Sequence, residues 1–549
     1  MPRRSRLTRL SWLLVGIAAV AIAIRLVGLG ARVAHQDEAR VASWILHYMA
    51  VDAWEYRAII HGPFLPHVNG FVFNLLGPSD FSMRLVVAIV GGLLPLSAWL
   101  LRDRLTRLEV LFVGALLALN PILIYYSRFM RNDVLLGAVA FLAFALVVRS
   151  IDTGHSRYLV AAGIAFGFAM TTKENALLYP VTWAGALVLL LDHRLFLARY
   201  QERDWYPVLK QSLWRAISAL WRVKYAILAG VVAGATIVVA FYAPKPELYQ
   251  ALGDPTQLPS VLDAATIGTW EKFTGLWGDT GMQEHSTVAF LGHLLLVLAV
   301  GGLTTVIFGV LGFLADRYRK GGARDLVALA FYWGMASLVG YPIVSDIKAG
   351  WTGVHVLIPL TIPAAVGLAV VFRRAKRALR RDETRTAAVA MILLLGAGLV
   401  TVGGGVAVNA VYPADDRNPV VQYAQPAGDM KPTLAEIERA SGEQEGIDVL
   451  FYGEEFYTEG ELEEPATLDI DSGGYGGWFD RLPLPWYLEQ YDARVGSTLD
   501  ADDVEQMDAP VVITIQADAS DIRHKLDNYR EVTHQGYLHS RPVVFYIRE

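Results

Sequence analysis

Long apolar stretches constrain this chain more than any other feature of its sequence. A run of about 20 apolar residues can cross a membrane as a helix, because a helix satisfies its own backbone hydrogen bonds. The 549-residue chain predicts about eleven such helices, near residues 10–29, 83–101, 108–126, 133–149, 158–171, 175–191, 224–242, 288–314, 326–344, 354–372 and 387–411. A charged fraction of only 18% excludes a disordered or nucleic-acid-coating protein. The absence of cysteine excludes disulfides, thiolate catalysis and Cys-ligated zinc.

The distribution of charge divides the chain into two predicted domains. Residues 1–411 carry a net charge of +14, whereas residues 412–549 carry 29 Asp and Glu against 10 Lys and Arg, a net charge of −19. We expect 1–411 to be a transmembrane domain and 412–549 to be an acidic extracytoplasmic α/β domain. Its predicted strands are 447–452, 510–515 and 543–547, and its predicted helices are 432–440, 485–490 and 518–526. The acid excess favours a surface adapted to high salt, and an ordinary acidic soluble domain is the alternative.

The positions of the basic residues predict the orientation in the membrane. With the N-terminus in the cytoplasm, the inner loops hold 27 Lys and Arg and the outer loops before residue 412 hold 9. Because basic loops stay in the cytoplasm, we expect a multi-pass protein of the cell membrane with an extracellular C-terminal domain. The basic N-terminus followed by an apolar stretch is also compatible with a cleaved signal peptide. We favour a retained first helix, which would anchor the polar motif that follows it.

Ionisable residues gather at the predicted outer ends of the early spans. Charges at the membrane edge are costly, so they are functional candidates by default. The candidates are Asp37, Glu38, His61, Arg84, Arg128, Arg131, Asp133, Lys173 and Glu174. The cations among them could bind the phosphate of a lipid, and a carboxylate could accept a proton from a hydroxyl group.

Several of these candidates also have a structural interpretation. Asp37 and Glu38 could cap a helix over 39–49. Arg128 and Arg131 could be solvated loop charges, and the long side chains of Arg25 and Lys173 could extend to the membrane interface. A metal site is a further alternative, but histidines without helical spacing are weak evidence for one. Its ligands would be His35, Asp37, His61 and His67.

A set of motifs occurs in a fixed order over roughly residues 10–190. The motifs are Asp37–Glu38, Gly62–Pro63 with Pro66, Leu76-Gly77-Pro78-Ser79 before Met83-Arg84-Leu85, Arg128 with Asp133, and Thr172-Lys173-Glu174 with Tyr179–Pro180. Together they resemble the GT-C superfamily of membrane glycosyltransferases, in the branch of the protein O-mannosyltransferases and the lipid A aminoarabinose transferases. The acidic C-terminal part makes the sequence most similar to an archaeal group, the flippase activity-associated membrane proteins, which is linked to N-glycosylation with dolichol-phosphate sugars.

The resemblance implies an inverting, hexosyl-type transfer from a dolichyl- or polyprenyl-phosphate sugar to a glycan, lipid or protein acceptor at the outer face. It implies that Asp37 deprotonates the acceptor hydroxyl and that Glu38 positions the acceptor or a cation. Arg128, Arg131 and Lys173 would stabilise the leaving phosphate. Asp133 would orient one of these bases, with Arg84 and Glu174 in support. The partners would therefore be lipids and acceptors, not nucleic acid.

One departure from the family concerns the donor. His61 stands where aminoarabinose transferases have a lysine near the proline pair, so the donor headgroup is left open. The identity of the sugar and the need for a divalent cation are also open.

Two other function classes remain alternatives. A flippase or flippase-associated component for dolichol-phosphate sugars would need polar residues through the middle of the membrane, and most of the spans lack them. A non-catalytic scaffold would depend on residues 412–549 and not on Asp37.

Overall fold

The computed structural model describes residues 3–277, 285–320, 322–345, 347–422, 424–442, 446–461, 477–537 and 541–549. The chain forms two compact units. The first unit comprises Met1–Val27, Trp54–Leu65 and Leu85–Val411, and the second comprises Gly28–Ala53, Pro66–Arg84 and Tyr412–Glu549. Two segments that the sequence analysis placed in the transmembrane domain, 28–53 and 66–84, therefore cluster with the C-terminal residues.

Helices dominate the first 411 residues. In chain order they are α1 (Arg3–Leu26), α2 (Gln36–Val51), α3 (Phe64–Leu76), α4 (Asp80–Leu93), α5 (Arg107–Leu119), α6 (Pro121–Ser127), α7 (Asn132–Thr153), α8 (Arg157–Thr172), α9 (Leu178–Tyr200), α10 (Trp205–Arg222), α11 (Lys224–Tyr242), α12 (Glu247–Gly253), α13 (Leu258–Asp263), α14 (Thr269–Trp277), α15 (Thr287–Gly301), α16 (Leu303–Arg317), α17 (Asp325–Val344), α18 (Thr352–Arg380) and α19 (Thr384–Val406).

The chain is a multi-pass membrane protein. Among the described residues, eight helices are long and apolar enough to cross a membrane, or ten if the bent pairs α5–α6 and α15–α16 each count as one span. The predicted count of eleven is not confirmed. The difference is helix α8, which has only 16 residues and is short for a membrane about 30 Å thick.

Helix α18 is the central element of the first unit. Every residue from 352 to 369 is buried, and a helix that is apolar on all sides needs such an environment. It packs against α5, α7, α16, α17 and α19. Its first turn lies beside the N-terminus of α7, where His355 approaches Asp133.

A buried arginine bridges the break between α5 and α6. Because the chain turns by 51° after Leu119, carbonyl groups at the end of α5 lose their helical partners. Arg25 Nη1 donates to the carbonyl oxygens of Ala21 and Ala118, each at 3.0 Å, and Nη2 donates to that of Leu117 at 3.4 Å. Arg25 is fully buried, so the interpretation that it extends to the membrane interface is wrong.

Helices α8 and α11 approach each other through small residues. Gly163 and Gly167 on α8 face Gly230 and Gly234 on α11, and a Cβ atom at Gly163 would overlap the Gly230 backbone. Both helices thus carry the spacing of small residues by which membrane helices pack closely.

Helix α10 has the features of an interfacial helix. None of its residues is buried, and it lies in sequence between two apolar helices, α9 and α11. One side carries large exposed apolar residues such as Leu213 and Trp221, whereas basic residues such as Arg215 and Arg222 lie on the other. This pattern is typical of helices that lie in the plane of the membrane surface.

The C-terminal residues of the second unit form a mixed sheet with flanking helices. Its elements are α20 (Lys431–Ala440), β1 (Val449–Tyr452), α21 (Leu484–Gln490), β2 (Val495–Thr498), α22 (Ala501–Met507), β3 (Val511–Ile515), α23 (Ala519–Ile522), β4 (Tyr529–Tyr537) and β5 (Arg541–Arg548). The strand order is β2-β1-β3-β5-β4, and β1 runs parallel to β2 and β3. Strand β5 runs antiparallel to β3 and β4, with Val511 opposite Ile547.

The predicted fold class is confirmed: the chain is a polytopic helical membrane protein with a small C-terminal α/β domain. The three strands and three helices predicted in this domain overlap β1, β3, β5, α20, α21 and α23. The elements β2, α22 and β4 were not predicted from the sequence. A buried cluster of Leu450, Val512, Ile522, Val544 and Tyr546 packs one side of the sheet.

Candidate active site

The Asp37–Glu38 motif forms the first turn of α2, in the second unit. His35 is the N-cap residue, and its Nδ1 accepts a hydrogen bond from the Asp37 backbone N–H at 3.0 Å. The Glu38 carboxylate accepts one from the His35 backbone N–H at 3.1 Å, which completes a capping box. Both acids also lie at the positive end of the helix dipole, where a negative charge is favoured. The helix thus begins earlier than expected, with His35 and not Asp37 or Glu38 as the N-cap residue, and of the motif's side chains only that of Glu38 takes part in the cap.

Glu38 is held in a buried ion pair. Arg84 donates to its carboxylate from Nε at 2.8 Å and from Nη2 at 2.7 Å, and both side chains are fully buried. Arg84 also donates to the carbonyl oxygens of Leu29, Arg32 and Val33, between 2.9 and 3.3 Å. Glu38 and Arg84 therefore fold the 29–33 loop against the start of α2, and no motif in the sequence indicates that they pair.

Asp37 is the more accessible of the two acids. Its side chain is 19% exposed, and Arg40 Nη2 donates to its carboxylate at 3.1 Å. Successive helical residues point about 100° apart, so Asp37 lies on a different side of the helix from Glu38. It is thus the acid of this pair that a substrate could reach.

Side chains from the C-terminal part of the second unit fix the loop before α2. Asp80 accepts hydrogen bonds from Trp486 Nε1 at 2.9 Å and from the Tyr487 hydroxyl at 2.8 Å, and it pairs with Lys431. The Tyr487 hydroxyl in turn accepts from the Ala34 backbone N–H at 2.7 Å. Burial and the Asp80 carboxylate raise the pKa of Tyr487 well above its usual range, so its proton stays in this network. These residues have no recognisable motif and were missed by the sequence analysis.

A second cluster, in the first unit, surrounds the buried carboxylate of Asp133. Lys173 Nζ donates to it at 3.3 Å, Arg131 Nε at 3.4 Å, and His355 Nε2 lies at 3.4 Å. Arg131 also stacks on the ring of Trp351 at 3.8 Å. The structure thus brings together Arg131, Asp133 and Lys173, three of the predicted residues from two separate loops.

His355 was missed by the sequence analysis, although an ionisable residue inside an apolar run is a recognisable signal. It is buried, and its Nδ1 lies 2.6 Å from the Tyr179 hydroxyl. If its Nε2 N–H donates to Asp133, Nδ1 accepts from Tyr179 and the imidazole is neutral. The ring of Tyr341 stacks on it at a centroid distance of 4.5 Å. His355 therefore contacts the Asp133 carboxylate from within the packed helices.

Glu174 and His61 extend this cluster. The Tyr56 hydroxyl donates to Glu174 at 2.6 Å, and His61 Nδ1 lies 3.7 Å from the same carboxylate. Burial lowers the pKa of His61, and the nearby cations Lys173 and Arg131 lower it further, although Glu174 opposes them. The lowered pKa favours the neutral imidazole of His61 beside Glu174.

A glycine allows the close approach of these two loops. Gly62 packs against the backbone of Thr171 and Thr172, and any Cβ atom at position 62 would overlap it. This contact sets His61 beside the loop that carries Lys173 and Glu174.

Arg128 follows α6 as its half-buried C-cap residue.

Within the described residues, no group of three or more His, Asp or Glu side chains could hold a metal ion. The interpretation of the three histidines and Asp37 as a metal site therefore has no support here. Instead, His35 caps α2 and His61 contacts Glu174.

Two family models match parts of the chain. Residues 60–201 match the dolichyl-phosphate-mannose-protein mannosyltransferase model, which covers the second cluster except for Tyr56, Tyr341, Trp351 and His355. Residues 430–548 match the model described as the Agl23 flippase-associated protein C-terminal domain. No curated protein matches the chain.

Solved structures share the fold over nearly the whole length. ArnT from Cupriavidus metallidurans in the apo state is 19% identical with a TM-score of 0.56, covering 97% of each chain. The structure of the same protein bound to undecaprenyl phosphate is 18% identical with a TM-score of 0.55, again covering 97% of each chain. The archaeal oligosaccharyltransferase AglB from Archaeoglobus fulgidus, in complex with an inhibitory peptide and a dolichol-phosphate, is 13% identical with a TM-score of 0.51, covering 95% of this chain and 72% of AglB.

These matches confirm the resemblance predicted from the sequence: the chain has the fold of the GT-C polyprenyl-phosphate-sugar glycosyltransferases and is related to Agl23 through its C-terminal domain.

Proposed function

We propose that the chain is a membrane glycosyltransferase that moves a sugar from a polyprenyl- or dolichyl-phosphate donor to a hydroxyl group of a glycan, lipid or protein acceptor at the outer face. The observation that carries this proposal is the buried Asp133 cluster, where Arg131 and Lys173 share one carboxylate. Two cations thus contact one carboxylate, and such an arrangement suits the phosphate of a lipid donor. The solved relatives support the donor class, because ArnT and AglB are described with undecaprenyl phosphate and dolichol-phosphate.

The proposed reaction is an inverting displacement at the anomeric carbon. The acceptor heteroatom forms a bond to this carbon, and the bond from the carbon to the phosphate oxygen breaks. The electron pair of that bond leaves with the lipid phosphate, while the acceptor proton passes to a carboxylate. We assign the proton to Asp37, and we assign the growing phosphate charge to Arg128, Arg131 and Lys173.

The remaining predicted residues act as positioning residues in this scheme. Glu38 and Arg84 hold the turn that presents Asp37, since their side chains are fully buried and bind each other. Asp133 holds Lys173 and Arg131, and His61 with Glu174 supports the neighbouring loop.

Transfer from radiolabelled dolichyl-phosphate mannose in membranes tests the assignment of Asp37. We expect Asp37→Asn to abolish transfer at unchanged expression, because an amide cannot accept the proton. Asp52→Asn is the matched control, since Asp52 is exposed and ends α2 in a left-handed conformation that asparagine tolerates. Transfer that survives in Asp37→Asn would refute its role as base.

The cation assignment has a separate test. Lys173→Met should lower kcat by roughly 10²–10³, as the loss of one electrostatic donor does in other enzymes, and Lys173→Arg should recover part of the activity. Lys348→Met, at an exposed position, controls for charge loss at the membrane surface. Equal activity in Lys173→Met and Lys348→Met would remove Lys173 from the mechanism.

A flippase-associated role is the second candidate, and the Agl23-type C-terminal domain favours it. It predicts that an Asp37→Asn/Glu38→Gln variant still supports movement of dolichol-phosphate sugar across the bilayer, with no transfer by the wild type. Transfer by the wild type that is lost in Asp37→Asn would decide for the enzyme.

We propose that the N-terminus is cytoplasmic and that the acidic C-terminal domain is extracellular and adapted to high salt. The chain has no cysteine, so single cysteines report sidedness directly. In intact cells, a membrane-impermeant maleimide should label Ser520→Cys and not Ala323→Cys. The reverse pattern would overturn the orientation.

A further inference from the structure

A basic pocket lies in the first unit at the far end of α18 from His355. Three helix ends form it: the start of α5, the end of α16 and the end of α18. Its volume is about 400 Å³, and its lining includes Glu109, Asp316, Arg319, Arg324, Arg373 and Arg377. From His355 to Arg373 is roughly 27 Å along a helix, close to the thickness of a membrane core. About one membrane thickness therefore separates the pocket from His355.

At the floor of the pocket, Arg324 holds both acids of the lining in ion pairs. Arg324 donates to Glu109 at 2.9 Å and to Asp316 at 2.6 Å, and both carboxylates are buried. The Asp316 carboxylate also accepts from the Arg324 backbone N–H at 2.8 Å, and Glu109 accepts from the Thr106 backbone N–H at 2.8 Å. These contacts occupy the carboxylate oxygens and leave little capacity for the other three arginines.

The rim of the pocket carries the remaining positive charge. Arg373 contacts Glu109 only at 3.4 Å, and Arg319 contacts Asp316 only at 3.9 Å, with side chains 41% and 47% exposed. Arg377 forms no ion pair with any residue that the structure describes, and its Nε donates to the Arg373 carbonyl oxygen at 3.3 Å. Four arginines against two acids give the pocket a net charge of +2.

We propose that this pocket binds the phosphate of a membrane lipid headgroup. A volume of about 400 Å³ is within the range of ligand sites, about 300–1,000 Å³. Guanidinium groups present paired N–H donors that match phosphate oxygens. Basic pockets between helix ends at the cytoplasmic face are suited to anionic headgroups, and the predicted orientation places this end there. The site is separate from the Asp133 cluster and independent of the proposed transfer.

Native mass spectrometry of the purified full-length chain, titrated with phosphatidylglycerol, tests the proposal. We expect Arg373→Ala/Arg377→Ala to weaken phosphatidylglycerol binding roughly tenfold. The matched control is Arg374→Ala/Arg381→Ala. It removes one arginine from the last part of α18 and one from its C-cap, and both pair with Glu383 and lie outside the pocket. The control should bind within about twofold of the wild type.

Two further arms separate the sources of phosphate and the effect of misfolding. Phosphatidylcholine should bind more weakly than phosphatidylglycerol, and inorganic phosphate should not displace the lipid. Arg377→Glu reverses a charge without breaking an ion pair, so it should lose lipid and keep the wild-type thermal stability. An equal loss of phosphatidylglycerol binding in the pocket variant and the control variant would overturn the proposal. Displacement of the lipid by inorganic phosphate would also overturn it.

Discussion

The buried pair of Glu38 and Arg84 leads to a graded prediction that separates structure from chemistry. Glu38→Gln keeps the shape and the capping acceptor, because glutamine also serves in a capping box, but it leaves Arg84 as an unpaired buried charge. Breaking a buried ion pair in this way costs about 3–5 kcal/mol. Glu38→Ala also removes the cap, which adds about 1 kcal/mol. We therefore expect apparent Tm to fall in the order wild type, Glu38→Gln, Glu38→Ala.

Heating the full-length chain in detergent, followed by size-exclusion chromatography of the soluble fraction, measures these shifts. The double variant Glu38→Gln/Arg84→Gln should be less destabilised than the sum of its single variants, since it no longer buries a lone charge. Asp37→Asn should leave the apparent Tm near that of the wild type. A Glu38→Gln variant with wild-type Tm but no transfer would refute this reasoning and make Glu38 part of the chemistry.

Three more predictions follow from the packing and charge of the chain. Gly163→Leu should destabilise the protein by about 1–3 kcal/mol or more, because the larger side chain does not fit between α8 and α11. The control Gly185→Leu on α9, where a side chain meets open space, should be tolerated. Equal Tm values of the two variants would contradict the close packing. Burial lowers the pKa of His61. The unfolded chain therefore takes up more protons than the folded chain below about pH 6.5, and the stability falls as the pH drops. His61→Asn should lessen the fall in Tm between pH 7 and 5.5, and an unchanged fall would exclude His61 as its source. Raising KCl from about 0.2 to 2 M should raise the apparent Tm, because screening weakens repulsion within the acidic domain, and a constant or falling Tm would argue against adaptation to salt.

The fold was largely predictable because long apolar runs and charge bias report the membrane directly. The predicted count of eleven spans is not confirmed, because α8 is short for a span, and hydropathy alone does not reveal the bends in α5–α6 and α15–α16. In the C-terminal domain, β2 is only four residues long, and β4 reads Tyr-Arg-Glu-Val-Thr-His-Gln-Gly-Tyr with few apolar residues. Such strands are stabilised by their neighbours in the sheet and carry little signal of their own.

The candidate residues were easier to find than their partners. The loops of Arg131–Asp133 and Lys173–Glu174 stood out because charge at a membrane edge is unusual. Their contact with His355, which is 222 residues from Asp133 in sequence, depends on how α7, α8 and α18 pack. The Asp80–Tyr487 hydrogen bond, across 407 residues, depends in the same way on tertiary structure. Motifs show where polar residues occur in the sequence. Which of these residues pair with each other depends on how the helices pack.

The Asp37–Glu38 pair shows how helix geometry can divide two adjacent acids between structure and chemistry. With His35 as the N-cap residue, Glu38 takes the third helical position, whose side chain folds back onto the cap in a capping box. That fold-back turns its carboxylate toward the 29–33 loop, where Arg84 binds both oxygens. Asp37, one position earlier and about 100° around the helix, cannot reach the same partner and keeps an exposed edge. An exchange variant, Asp37→Glu/Glu38→Asp, should therefore lose both properties. The shorter side chain of an aspartate at position 38 would not reach Arg84, and no change at position 37 could restore that pair.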